Sequence, residues 1–170
     1  MAATLTILQP VLQDDFSDSK QMWDVTVGQT FEANEFVSLV SGKATVTASA
    51  ATGSSGFTLG RAVDLPSGSL NARTAIGPAS GFNGIPVARL HAGMRFKMTL
   101  TGKALAATDL GAQYGILLTS NVHTVDGTNT TQKLFTIVEI PNTPGIGDGG
   151  IGDTNVRVVV EFINTVAALI

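Results

Sequence analysis

The feature that most restricts this chain is its punctuation: short alternating apolar runs, each stopped by glycine, proline or an Asp-Gly pair. Alternation with a period of two is the pattern of a half-buried strand, and turn residues at close intervals join such strands into sandwiches or barrels. Phe36–Val40, Ala44–Ala48, Phe57–Asp64, Arg95–Leu100, Gln113–Thr119, Leu134–Ile140 and Val156–Phe162 all read as strands. Ser41-Gly42-Lys43 and Asp126-Gly127 read as hairpin turns, Gly102 as a further turn and Gly60 as a bulge. Ala104–Leu110 is the best candidate for a short helix, and none longer than about two turns is expected. The expected fold class is all-β: a small N-terminal β module plus a barrel- or sandwich-like module, with an extended terminal arm. The arm is residues 1–22, the first module 23–85 and the second 86–170. Residues 65–86, rich in glycine and proline, read as a long connection and a candidate contact loop.

A chain of 170 residues buries roughly 70% of its extended surface on folding, enough for a core without disulfide or metal. There is no cysteine, so no disulfide framework or thiolate metal site. Charged residues are 14% of the chain, against roughly 25% in ordinary soluble domains. So neutral a surface points to burial against other proteins, the alternative being a monomer coated with serine, threonine and asparagine. No apolar stretch approaches the roughly 20 residues that cross a bilayer. The N-terminus lacks the basic start of a signal peptide, so synthesis and retention in the cytoplasm are expected. Basic residues cluster in the middle: Arg61, Arg73, Arg89, Arg95, Lys97 and Lys103 stand against Asp64 alone, between two acidic flanks. That layout suggests complementary faces within one fold or between subunits. Few aromatics are interleaved and the pI is about 5.2, which argues against nucleic acid.

Residues that do chemistry are sparse. His91 and His123 stand far apart and read as surface loop histidines, too few for a zinc site. Asp109 with Asp126, or Glu139 with Glu161, would suit acid and base roles in glycoside hydrolysis. Sugar sites also need aromatic platforms, and the chain has one tryptophan and one tyrosine. Trp23 reads instead as a core or interface anchor. Gly-Ile-Gly-Asp occurs twice in residues 145–153, but no Gly-Lys-Ser/Thr follows and the calcium-repeat spacing is off by one, so a mobile loop is expected. No catalytic, cofactor-binding or metal-ligating residue emerges, and an enzyme is not expected.

In the arm, Leu5, Ile7, Leu8, Val11 and Leu12 are apolar while Pro10 interrupts any helix. They are the candidate interface residues, docking on a neighbouring protein; the rival reading makes them a first strand of the same core.

Val27 to Leu39 followed by Ser41-Gly42-Lys43-Ala44-Thr45-Val46 resembles a strand–turn–strand of tailed-bacteriophage head decoration, or cement, proteins. Phe57 to Val63, with Leu59-Gly60-Arg61-Ala62, is similar to the strand that follows in that family. Asp109 to Ile116 and Arg157 to Phe162 resemble phage capsid accessory proteins. The resemblance covers about half of the chain. It implies a non-enzymatic virion protein on the capsid exterior, made in the host cytoplasm. Its partner would be the major capsid protein, bound at junctions between subunits, with a homo-oligomer and a trimer favoured. No cofactor, nucleic acid or membrane is implied. The rivals are a tail, spike or baseplate β-domain, or a carbohydrate-binding β-sandwich.

Overall fold

The computed structural model describes residues 2–8, 10–13, 20–25, 30–32, 34–58, 72–74 and 84–163. The chain is all-β. Its strands are β1 (Val11–Leu12), β2 (Lys20–Asp24), β3 (Thr30–Glu32), β4 (Phe36–Val40), β5 (Lys43–Val46), β6 (Gly56–Thr58) and β7 (Ala72–Thr74). They continue as β8 (Gly84–Arg89), β9 (Arg95–Ala104), β10 (Gln113–Thr119), β11 (Val122–Asp126), β12 (Phe135–Glu139) and β13 (Thr154–Phe162). The Ala104–Leu110 stretch holds one 3-10 turn, Ala107–Asp109, and no α-helix occurs among the described residues.

The larger sheet runs β1-β9-β11-β10-β12-β13, and β13 also pairs with β9. It is a nearly closed ring rather than a true barrel. The β9–β13 seam is long, with seven registered pairs, while the opposite seam is a parallel contact of β11 with β9 through Val125–Leu100 and Asp126–Thr101. Alternation sets the faces: Phe96, Met98 and Leu100 point inward with Val156, Val158 and Val160, and all six are buried. Gly102 does not end β9 as expected. Its positive φ of 82° is absorbed inside the strand, which continues to Ala104. β10 and β11 are joined through Ser120 and Asn121, at φ 49° and 62°, the left-handed pair of a type I′ hairpin.

The second sheet runs β2-β8-β6-β4-β5, and a bridge between Val25 and Ala44 brings its first and last strands together. β8 straddles the division expected at 85/86 and pairs with both β2 and β6. β3 and β7 form a separate ribbon, so part of the expected 65–86 loop is strand. Leu59 to Asp64, including the bulge read at Gly60, and most of residues 65–83 lie outside the described residues.

β4 joins the two cores because its neighbouring side chains point to opposite faces. Phe36 faces the larger sheet, with ring centroids 5.0 Å from Phe57, 5.0 Å from Phe96 and 5.3 Å from Phe135. Val37 packs on the other face with Trp23, Val25, Phe31, Ala44, Ile85 and Val87. Trp23 is thus a core residue. Edge-to-face aromatic pairs add about 0.5–1.5 kcal/mol each beyond their buried area, so the Phe36 cluster is a strong cross-sheet tie.

Candidate functional site

The arm is strapped across its own larger sheet. Thr4 bridges Thr154 at the start of β13, whereas Val11 and Leu12 pair with Lys97 and Phe96 of β9. Between these ends the Leu8 N–H donates to Thr99 Oγ1 at 3.2 Å, and that hydroxyl donates to Leu8 O at 3.3 Å. Thr99 sits on the outer face, opposite in pleat to Met98 and Leu100, yet it is wholly buried. The arm is what covers it.

Asp153 anchors the strap. Its Oδ1 accepts from Ala3 N at 2.7 Å, and its Oδ2 accepts from Gly145 N at 2.5 Å and Gly150 N at 3.1 Å. The N–H groups of Gly145 and Ala3, with that of Gly150, hold this carboxyl below the usual carboxylate range. The glycine loop is therefore organised by the aspartate that ends it, not the free loop expected. Gly149 suits this loop because its φ is 91°, in the left-handed region, and it lies against the Leu5 and Val156 side chains.

Alternation along the arm divides the five candidate interface residues. Leu5 and Ile7 are half-buried, and Leu12 packs against the main core. Leu8 and Val11 turn outward, 48% and 44% exposed. On the glycine loop Ile146 and Ile151 are also exposed, at 69% and 50%. These four aliphatic side chains stand on the two segments that Asp153 ties together.

A polar cleft of about 60 Å³ lies beside the strap, lined by Lys97, Glu139, Pro141, Asp148, Arg157 and Val159. Lys97 pairs with Asp148, and Arg157 Nη2 donates to Lys97 O at 3.0 Å. Burial lowers the Arg157 pKa and Asp148 offsets part of that effect. The cleft holds a few waters at most, far below the roughly 300–1,000 Å³ of small-molecule sites.

The other polar clusters are internal fastenings. Asp109, buried beneath the 3-10 turn, accepts from Lys103 Nζ at 2.6 Å, Tyr114 Oη at 2.6 Å and Ala106 N at 2.8 Å. Burial alone would raise its pKa, but the bonds from Lys103 and Tyr114 outweigh it and leave the carboxyl low. The hydrogen bond to Asp109 raises Lys103, and burial followed by Asp109 raises Tyr114. A phenol or amine serving as a base needs the opposite shift. Asp126 accepts from Thr128 and Glu161 faces Arg95 at 3.8 Å, while Glu139 lines the polar cleft. The basic middle meets the acidic C-terminal flank within one fold: Arg95 with Glu161, Lys97 with Asp148, Lys103 with Asp109.

His123 corrects its expectation outright. It lies on β11, wholly buried, where Nδ1 accepts from Phe36 N at 3.3 Å and Nε2 donates to Thr47 O at 2.8 Å. Burial brings its pKa down to about 4, a neutral ring bridging the two sheets. His91 is exposed, as expected, and its Nδ1 donates to Ala92 O at 3.1 Å. Among the described residues no three acidic or histidine side chains gather as a metal site.

Comparison with family models, curated proteins and solved structures returns no match for this chain.

Proposed function

We propose that this protein is a structural part of a phage virion. It binds the outside of the assembled capsid at junctions between major capsid proteins, as a homo-oligomer with a trimer favoured, and stabilises the shell. The observation that carries the reading is the outward aliphatic set Leu8, Val11, Ile146 and Ile151, held on two segments that one buried carboxylate clamps together. Exposed apolar groups on a pre-ordered backbone bind without the cost of ordering that backbone. The use of His123, Asp109 and Asp153 as internal fastenings fits a protein that presents surface instead of turning over a substrate. The sequence resemblance to head decoration proteins points the same way. With several copies bound around one junction, later contacts become intramolecular and weak patches add to a firm grip.

The test is co-sedimentation with washed capsids, followed by electron microscopy of the particles. Leu8→Ser with Val11→Ser should abolish retention while shifting stability by no more than about 0.5 kcal/mol, as exposed sites usually do. Unchanged retention of that variant, or wild-type protein that never coats a shell, sinks the reading.

A further inference from the structure

The arm belongs to one sheet by chain and to the other by contact. The chain leaves it to enter the smaller sheet as β2, yet its described bonds run to β9, to the start of β13 and to the glycine loop, all in or beside the larger sheet. Most of these bonds are made by backbone. Leu5 N donates to Thr154 O at 3.0 Å, Thr154 N to Ala3 O at 2.8 Å and Gln13 N to Arg95 O at 2.9 Å, while Asn155 Nδ2 donates to Leu5 O at 2.9 Å. The receiving surface meets this segment at three points: Asp153 Oδ1 takes the Ala3 N–H, Gly149 lies against Leu5, and the Thr99 hydroxyl bonds both polar groups of Leu8.

We infer that this strap is exchangeable, so that residues 2–12 of one copy seat on β9, β13 and Asp153 of a second copy of the same chain. Every bond above is available to an arm arriving from a neighbour, because none depends on which body the arm leaves. Closed and exchanged forms then differ mainly in the entropy of association, which local concentration offsets. The closed form also leaves Leu8 and Val11 facing water on the back of the strap. An exchanged arm makes the same bonds to its seat, so the same back stays outward and the proposed docking set is unchanged. The exchange is a property of the purified chain and stands apart from the capsid reading.

The cysteine-free chain allows a direct test without capsids. Thr4 Oγ1 and Thr154 Oγ1 are 2.8 Å apart, so cysteines at these positions meet when an arm is seated. Full-length Thr4→Cys protein carrying a size tag is co-refolded with untagged Thr154→Cys protein and oxidised, and mixed disulfides are read on a non-reducing gel. A control replaces the second partner by Thr128→Cys, on an exposed turn that none of the described arm bonds reaches. The expected result is a Thr4–Thr154 heterodimer in excess of the control by about tenfold or more, since a seated pair reacts as if intramolecular. Heterodimer no more abundant than the control overturns the inference. So does a doubly substituted Thr4→Cys/Thr154→Cys chain that closes wholly on itself while the mixture gives none. Circular dichroism of each variant confirms that the fold under test is the native one.

Discussion

At His123 both ring nitrogens are committed to the backbone of the other sheet, and this turns one side chain into a pH-dependent rivet. The folded pKa of about 4 lies below the free value of 6.5, so the unfolded chain binds the extra proton between these limits. Its contribution is complete above pH 6.5 and is lost as pH falls through that window, at about 1.4 kcal/mol per pH unit and about 3 kcal/mol in all. Urea unfolding at pH 7 and at pH 4.5 measures it. Asp109 and Asp153, whose pKa values are lowered, lose their contributions only further down, and comparison with a His123 variant separates the share of the histidine. His123→Gln should be less stable at pH 7 yet show a much flatter slope; an unchanged slope removes His123 as the cause. At the Asp109 cluster, Tyr114→Phe deletes the bond to Asp109 and the one from Lys103 Nζ, and should cost about 1.5–3 kcal/mol by the same assay, without moving the slope above pH 4.5. Neither site was legible in the sequence. The partners of His123 are a backbone carbonyl and a backbone N–H, which no residue type announces, and Lys103, Asp109 and Tyr114 meet only because a 3-10 turn folds the chain back.

Strands were the most legible elements, because alternation is written in residue type. β4, β10, β12 and β13 lie within about two residues of the expected runs. β8 was missed: Gly84-Ile85-Pro86-Val87-Ala88-Arg89 looks like the end of a Gly/Pro-rich loop. Proline is tolerated on such a strand where its missing N–H falls outside the ladder. Gly56 on β6 shows how closely this sheet packs. A Cβ there would stand 2.2 Å from Val87 Cγ1 and 2.9 Å from Trp23 Cζ3, so the indole lies directly on bare backbone. Gly56→Val should destabilise by about 1–3 kcal/mol through overpacking. Adding Val87→Ala should return part of that loss, since the two sites share one contact and are not additive. Thermal melts of the four members of the cycle measure it, and strict additivity would refute the packing account. The arm was half legible. Its apolar residues stood out, but its seat depends on Asp153 and Thr99, about 150 and 90 positions away in sequence, and only folding brings them together.

Across the whole molecule the question is whether two sheets act as two units. The division read from the long loop separates residues 23–85 from 86–170, and that loop is a genuine break in pattern. The packing crosses it. β8 carries residues from both sides into the smaller sheet, Phe36 and Phe57 of that sheet sit in the core of the larger one, and His123 bonds across the junction. Phe36 matters most, because it meets Phe57, Phe96, Phe135 and His123 at once. A residue that fills both sheets' shared space couples their unfolding: neither can open without exposing the aromatic cluster of the other. The chain supplies its own two reporters, with Trp23 in the smaller core and Tyr114 in the larger. Urea transitions followed by Trp23 fluorescence and by the near-ultraviolet signal of Tyr114 should therefore coincide, as two-state unfolding requires. Phe36→Ala should lower the midpoint of both by the same amount, about 3–5 kcal/mol in free energy for a fully buried phenylalanine. Separated transitions, or a variant that shifts the tryptophan signal and leaves the tyrosine signal in place, would mean that the cluster is mere contact and that the sheets are independent units.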